Sequence, residues 1–494
     1  MGEPIAAREL PILLQGNDHL QAGICDALRA AIQQGRLRPG GRLPSSRDLA
    51  RQLRVARGTV VLAYDQLAAE GYIRGARGAG TTVMETLPER WLAPVRAGVA
   101  RSMAERRLSL SERGKFLARS SFPLQLLPAP RPFRPHTPAV DFFPVALWGR
   151  LIARHARSAR PGRLRDIDAQ GHRPLREAIA GHLREYRDVR CSADQIVITC
   201  GTQQLLDLSV RLLLDAGDAA WMEDPGHFGA RDVMRAGGLD VVPVPVDGAG
   251  IDVDEGIRSA PHARMVYVTP ARQSPLGATL SLERRLKLLD WALAAGAFVF
   301  EDDYDSEFRY AGRPLPALQA LDRHGVVVYS GTFTKTLFPG LRVAYAVLPD
   351  GLAEPFRSAL SLVARYVPLL PQLALTDFIE GGHFARHLRR MRMLYAERRE
   401  SLLEALNDEL EDRVEIVGSS AGLEVVARLP PGIKDRAVAK ISYDMQMEIL
   451  PLSRYSIRPA ARGGLVLGFA AVSAARSRRA VPLLRQAIDQ VRPV

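Results

Sequence analysis

Along residues 20–83 the apolar positions recur first at helical and then at strand spacing. "LQAGICDALRAAIQQG" places its apolar residues on one helical face and stops at Gly35. "SSRDLARQL" opens on serines that can cap a second helix. "ARGTVVLAYDQLAAEG" predicts a third, closed by Gly71, and "YIRGARGAGTTV" predicts two short strands around a glycine-rich basic tip. Residues 85–135 lose this regularity. They are basic, then proline-rich in "FPLQLLPAPRPFRPHTPAV", and read as a linker: a helix followed by an extended segment. Beyond them short apolar runs alternate with amphipathic ones. "QIVIT", "AAWME", "DVVPVPV", "ARMVYVT", "AFVFE", "GVVVYS" and "VAYAVL" predict strands, and segments such as "TQQLLDLSVRLLLDAG" predict helices between them. That alternation predicts an α/β fold, a mainly parallel sheet sandwiched by helices. "GLEVVARL" and "GLVLGF" predict a smaller C-terminal α+β part. The expected pieces are a helix–hairpin unit over 12–84, a linker over 85–135 and an α/β unit over 136–494. The last divides into a large part of about 160–375 and a small part of about 376–494.

Composition leaves that picture standing. Apolar residues make up 47% of the 494-residue chain and charged residues 24%, ordinary values for a globular protein. No apolar run reaches the roughly 18 residues a membrane span needs. The start, "MGEPIAARELPILLQG", lacks the basic head and apolar centre of a signal peptide. Cys25, Cys191 and Cys200 share no metal-ligand spacing and cannot all pair. A cytoplasmic protein with no metal site and no membrane partner is expected.

Charge changes the picture more. The net charge is +13, much of it in the first quarter of the chain, and nearly all the cations are arginines. A basic front end suits double-stranded DNA. In a helix-turn-helix the second helix enters the major groove and presents its N-terminal residues to base edges. Here those residues are Ala56, Arg57, Gly58 and Thr59. Arg57 can fork onto a guanine, and Thr59 can meet a base or a phosphate. Ser45 and Arg47 open the preceding helix on the phosphate side. Arg77 and Gly78, in the tip "RGARGAG", would form a wing that approaches the backbone or the minor groove.

Lysine occurs only at Lys115, Lys287, Lys335, Lys434 and Lys440. Lys335 sits among hydroxyl residues in "SGTFTKTLFPGLR", which points to pyridoxal 5'-phosphate. That cofactor needs an amine for an imine, a carboxylate at its pyridine nitrogen, donors and a cation for its phosphate, a group against its ring and a donor to its phenolic oxygen. Lys335 supplies the amine, and Thr332, Thr334 and Arg342 bracket it for the phosphate. In "DDYDSEF", Asp302 and Tyr304 alternate onto one side of an extended chain, toward the pyridine nitrogen and the phenolic oxygen. "CGTQQLLDL" offers the backbone N–H groups of Gly201, Thr202 and Gln203 at a helix N-terminus. His227, in "EDPGHFGAR", follows another strand and is placed for the ring.

The stretch "GRLRPGGRLPSSRDLARQLRVARGTVVLAYDQLAAEGYI" resembles the winged helix-turn-helix domain of the GntR family of bacterial regulators. The order of "GTQQLLDL", "EDPG", "EDDYDSEFRY" and "GTFTKTLFPGLR" resembles fold-type I aminotransferases. With "FFPVALWGRL", "GHRPLREAIAGHLR", "PLGATLSLERRL" and "GLVLGF", the chain from residue 18 to about 470 resembles the MocR subfamily of GntR regulators. The resemblance implies a head-to-tail homodimer on paired half-sites. It also implies an amino-compound effector that reacts with the internal aldimine at Lys335 and repositions the DNA readers. The alternative is a working aminotransferase fused to a DNA-binding domain. Several positions depart from the family. Ala56 and Gly58 replace polar residues, His227 replaces a tyrosine, and Arg272 and Ser274 alter the phenolic side of the cofactor or the effector pocket. Val466 stands where many aminotransferases carry the arginine that orients a substrate carboxylate. Orientation supplies much of such a rate, so weak or vestigial turnover is expected, with Arg454 as a substitute effector contact.

Overall fold

The structure, a computed structural model, describes residues 20–76, 80–85, 109–119, 129–159, 162, 165, 168–310, 316–418, 420–460 and 462–492. The chain forms two compact units, Met1–Ser109 and Leu110–Val494.

In the first unit α1 (Leu20–Gln33), α2 (Ser46–Leu53) and α3 (Arg57–Ala69) pack beside a three-stranded antiparallel sheet. Its strands are β1 (Arg42–Leu43), β2 (Ile73–Ala76) and β3 (Gly80–Val83), in the order β1-β3-β2. Ile24, Leu28, Leu49, Val60 and Leu67 are fully buried and form the centre of its core. Ser45 caps α2 by accepting from the Asp48 N–H at 3.2 Å. The helix stops at Arg54, whose left-handed φ of 54° turns the chain toward α3. All three expected helices and both hairpin strands are present. β1 is an addition, too short to carry an alternating pattern.

The second unit is built on eight strands: β4 (Ile196–Thr199), β5 (Ala219–Asp224), β6 (Asp240–Asp247), β7 (Gly250–Ile251), β8 (Met265–Val268), β9 (Phe298–Asp303), β10 (Val327–Thr332) and β11 (Ala344–Val347). They lie in the order β4-β11-β10-β9-β8-β5-β6-β7. The five strands from β10 to β6 run parallel, while β11 is antiparallel to both of its neighbours. Alternation sends Val197, Met265, Tyr267, Phe300 and Val328 to one face. There they meet α5 (Thr202–Leu213), α6 (Phe228–Ala236) and α8 (Ala353–Val363). On the other face Ile196, Ile198 and Tyr329 pack against α4 (Arg173–Arg187), and Val266, Val268 and Val299 against α7 (Leu282–Ala295). Both faces are covered, which is why these strands read as continuous apolar runs.

A second sheet, in the order β12-β13-β15-β14, is antiparallel throughout. It joins β12 (Glu415–Val417), β13 (Glu424–Arg428), β14 (Leu450–Pro451) and β15 (Gly464–Gly468), and packs with α9 (His383–Leu410) and α10 (Ala474–Asp489). Part of the stretch expected as a linker belongs to this unit. Glu112–Ala118 is helical, and Phe133 is fully buried, with its carbonyl accepting from the Gly468 N–H at 2.9 Å.

Candidate functional site

The carboxyl ends of the parallel strands converge on a cavity of about 600 Å³, the place where such sheets bind ligands. Parallel pairing of β9 and β10 sets Ser330 beside Asp302. The loop that leaves β10 therefore starts next to that carboxylate and brings Lys335 into the same cavity. Thr332 and Thr334 are linked through their hydroxyls at 3.0 Å. Across from them α5 begins at Thr202, whose Oγ1 accepts from Ser330 Oγ at 3.3 Å. Gly201 leads into that helix with a φ of 151°, and a Cβ there would lie 2.9 Å from the Arg342 guanidinium. A side chain there would be strained by that backbone and would push the Arg342 guanidinium aside, so glycine suits the wall that the helix N-terminus and Arg342 share. The result is a cup of N–H groups, hydroxyls and one cation, suited to a phosphate.

Asp302 stands at the other end. It is 7% exposed, and its Oδ2 accepts from the Tyr267 hydroxyl at 2.6 Å. Its Oδ1 is buried and without a hydrogen-bond partner. Burial pushes this carboxyl up to about 7, against the Tyr267 hydrogen bond that favours the ionised form. A buried acceptor of this kind is costly unless a donor meets it, and a protonated pyridine nitrogen is such a donor. Lys335 lies in the same cavity, and burial lowers its pKa, which raises the fraction of neutral, nucleophilic amine. The phosphate cup, the orphaned carboxylate oxygen and the amine together fit pyridoxal phosphate.

Tyr304 lines the cavity, with its hydroxyl fixed by Arg272 Nη1 at 2.6 Å and hydrogen-bonded to the Ser274 side chain. Of the two sequence readings for Arg272, the structure agrees with the phenolic side, through Tyr304, and not with an effector contact. It is 2% exposed and lies behind Tyr304, off the wall of this cavity. Its Nε donates to the Ala421 carbonyl at 2.9 Å and its Nη2 to the Glu424 carbonyl at 2.8 Å. Its Nη1 also reaches Glu424 Oε1 at 3.0 Å and Asp305 Oδ2 at 3.3 Å. Buried, off the cavity wall and with all three of its nitrogens hydrogen-bonded inside the protein, it is not placed to meet an effector. It is an internal cation tying the tyrosine to the small sheet.

The remaining expectations fall as follows. His227 lines the cavity, and its Nδ1 accepts from the Ala230 N–H at 3.1 Å to cap α6. Burial, with the His136 and Lys335 charges, lowers its pKa to about 3, so the ring is neutral. Gln203 lines the cavity too, with a buried Oε1 that has no partner. Arg454 reaches the cavity with its guanidinium 4.6 Å from the centre of the Phe228 ring, and its buried Nε has no hydrogen-bond partner. Val466 is fully buried, packed with Phe228, Leu276, Val426, Leu452 and Tyr455. An arginine there would have to displace Phe228 or Tyr455. Sequence reasoning missed Tyr267, His136 and Glu424. Tyr267 had a signal, a hydroxyl one residue before the end of an otherwise apolar strand. Glu424 had none, because its partners are distant in sequence.

In the first unit Arg47, Arg57 and Gly58 are exposed and Thr59 is half-exposed at the heads of α2 and α3. Arg57 Nε makes only a long contact, 3.4 Å, to Ser46 Oγ. A Cβ on Gly58 would meet nothing within 4 Å, so the first turn of α3 presents a low, open surface. The Ser45 hydroxyl is engaged by its own cap and by Asp48 Oδ2 at 2.6 Å. Arg77 and Gly78 lie outside the described residues. Among the described residues no group of side chains could hold a metal ion, and no helix is long and apolar enough to cross a membrane.

Residues 20–83 match the family of bacterial regulatory proteins of gntR type, and residues 146–481 match aminotransferase class I and II. The "Probable rhizopine catabolism regulatory protein MocR" of Rhizobium meliloti is 39% identical over 94% of this chain and 92% of its own length. The pyridoxine biosynthesis transcriptional regulator PdxR of Corynebacterium glutamicum is 31% identical over 93% and 94%. Among solved structures, LysN, the alpha-aminoadipate aminotransferase of Thermus thermophilus complexed with N-(5'-phosphopyridoxyl)-L-leucine, superposes with a TM-score of 0.69. It is 28% identical and covers 76% of this chain and 97% of its own. An N-terminal reader of DNA and a cavity built for pyridoxal phosphate thus share one polypeptide, and the chain belongs to the MocR-type regulators of the GntR family.

Proposed function

We propose that this protein is a pyridoxal-phosphate-dependent transcription regulator, in which a small amine acting at Lys335 changes how two DNA-reading units are held. The observation that carries the reading is the orphaned Oδ1 of Asp302, a residue that lines the same cavity as Lys335 and the phosphate cup. When bound, pyridoxal phosphate supplies an aldehyde that exchanges between amines, on a ring made electron-poor by protonation. Asp302 holds the proton at the pyridine nitrogen. Thr202, Thr332, Thr334 and Arg342 hold the phosphate, together with the N–H groups that follow Gly201. Tyr304, oriented by Arg272 and Ser274, donates to the phenolic oxygen, and His227 and Gln203 line the ring. Arg454, whose buried Nε is unpartnered, is the group that meets the far end of the effector. Arg57 and Thr59 read bases, and Ser45 and Arg47 position the unit on phosphates. A head-to-tail homodimer on paired half-sites supplies two readers whose spacing the effector sets, in the cytoplasm where the DNA is.

An effector shifts such an equilibrium only through different affinity for its two states. Fluorescence anisotropy on a duplex from upstream of the protein's own gene, with cofactor present and a panel of amines and amino acids, reads this directly. The reading expects one class of amine to change the affinity several-fold, and Lys335→Ala to bind the duplex but ignore every amine. A Lys335→Ala protein that responds like wild type would refute it.

A further inference from the structure

One wall of the cavity is a strap that is bridged to the small sheet at Gly468. It is the strap Pro132–His136, of which Arg134, Pro135 and His136 line the cavity, in the N-terminal part of the second unit. The strap is anchored along its length. The Pro132 carbonyl accepts from the Glu448 N–H at 3.0 Å, and the Phe133 carbonyl from the Gly468 N–H at 2.9 Å. Arg134 Nε lies 3.1 Å from Glu448 Oε2. Phe133 and His136 both hold left-handed backbone, with φ of 66° and 59°. Side chains other than glycine rarely adopt it, and they keep it only where surrounding contacts over-determine it.

His136 is over-determined in that sense. Its N–H donates to Glu424 Oε2 at 3.0 Å, and its Nδ1 lies 3.2 Å from the same oxygen. Its Nε2 pairs with the Tyr455 hydroxyl at 2.7 Å. Its carbonyl accepts from Lys335 Nζ at 2.7 Å. Three of these contacts are indifferent to the chemistry of the cavity. The fourth is made by the reactive atom. A free lysine ammonium carries three donors. Joining Nζ to an aldehyde carbon as an imine releases one water and leaves at most one N–H, fixed in the plane of the new double bond. A free Lys335 can therefore hold the His136 carbonyl, while a covalently engaged Lys335 cannot keep that contact in the same geometry.

We propose that the His136 carbonyl senses whether Lys335 is free, and that the strap Pro132–His136 tightens when the amine is released and loosens when it is engaged. This rests on the cofactor reading above. His136 acts here as a positioning residue. The strap lies in the N-terminal part of this unit, after the helix Glu112–Ala118, so the state of one amine is passed to the stretch of chain that follows that helix.

Hydrogen exchange by mass spectrometry on the full chain, loaded either with pyridoxal phosphate or with pyridoxamine phosphate, tests this without any activity assay. The two share ring and phosphate, but only the aldehyde engages Lys335. Peptides covering residues 129–143 should exchange several-fold faster in the aldehyde form. Lys335→Ala should erase the difference. His136→Gly, which tolerates the left-handed backbone and keeps the N–H donation to Glu424 but removes the ring's contacts with Glu424 and Tyr455, should speed exchange in both forms and shrink the gap. Equal exchange in the two wild-type forms, with a visible imine band present in the aldehyde form, overturns the strap proposal alone. So does a gap that survives in Lys335→Ala. Failure of the imine band to appear overturns the cofactor reading and this proposal together.

Discussion

Arginine does opposite work in the two units. At the head of α3, Arg57 stands in solvent with one long contact to a serine, and Arg47 on α2 is also exposed. Among the described residues neither has a carboxylate partner. In the second unit Arg272 is buried, and its donors meet two carboxylates, two carbonyls and a tyrosine. Desolvation makes the difference. An exposed guanidinium gains little from its own chain and stays available to phosphate and base edges. A buried one must be saturated, and once saturated it orients neighbours and binds nothing new. The count of arginines thus says little about DNA affinity until each is placed.

The largest test of that contrast is Glu424→Ala. Glu424 is 1% exposed. Burial pushes its carboxyl upward, but the His136 and Arg272 charges overcome this and hold it well below the usual range. Removing it strands Arg272 beside Asp305 alone, and breaking a buried pair from one side costs about 3–5 kcal/mol. Chemical denaturation of the full chain should show that loss in the transition of the second unit, with the first unit's transition unmoved.

Asp302→Asn comes next. A hydrogen bond to a charged group contributes about 1.5–3 kcal/mol, so affinity for pyridoxal phosphate should fall roughly 10- to 100-fold in an absorbance titration. The same variant tests pH linkage in the cofactor-free protein. Asp302 is raised from 3.8 to about 7, so the folded chain holds a proton that the unfolded chain has released. Its contribution to stability is therefore full below about 3.8, declines as pH rises and is gone above about 7. Denaturation midpoints across that window should change less with pH in Asp302→Asn than in wild type.

Arg57→Ala works on the other side of the comparison. It should weaken specific duplex binding by about 1–3 kcal/mol and relax discrimination at one base pair, with no change in folding stability. The smallest effect is Ser45→Ala, which removes the α2 cap and should lower the first unit's stability by about 1 kcal/mol in a thermal melt.

The same contrast explains what the sequence disclosed. The central strands of the large sheet are buried on both faces and left apolar runs that could be read from the sequence, whereas the two-residue β7 left none. Lys335, Asp302, Tyr304 and Thr202 lie on strand ends and turns, where local pattern and chemistry coincide. Arg272 was read as a pocket residue because a lone cation after a strand looks the same from the sequence whether it faces a ligand or Glu424. The anchors of His136 come from residues 288 and 319 positions away, and no local pattern encodes such a pairing. Val466 was rightly seen as apolar, yet only the packing reveals that Phe228 and Tyr455 close over it.

The most direct measurement is borohydride reduction of the protein with pyridoxal phosphate, followed by peptide mapping by mass spectrometry. The chain has few lysines, so the map is simple to read. We expect a single phosphopyridoxyl group on the peptide containing Lys335, absent from Lys335→Ala. Label found only on Lys115, Lys287, Lys434 or Lys440, or no label at all, would contradict a cofactor site at Lys335.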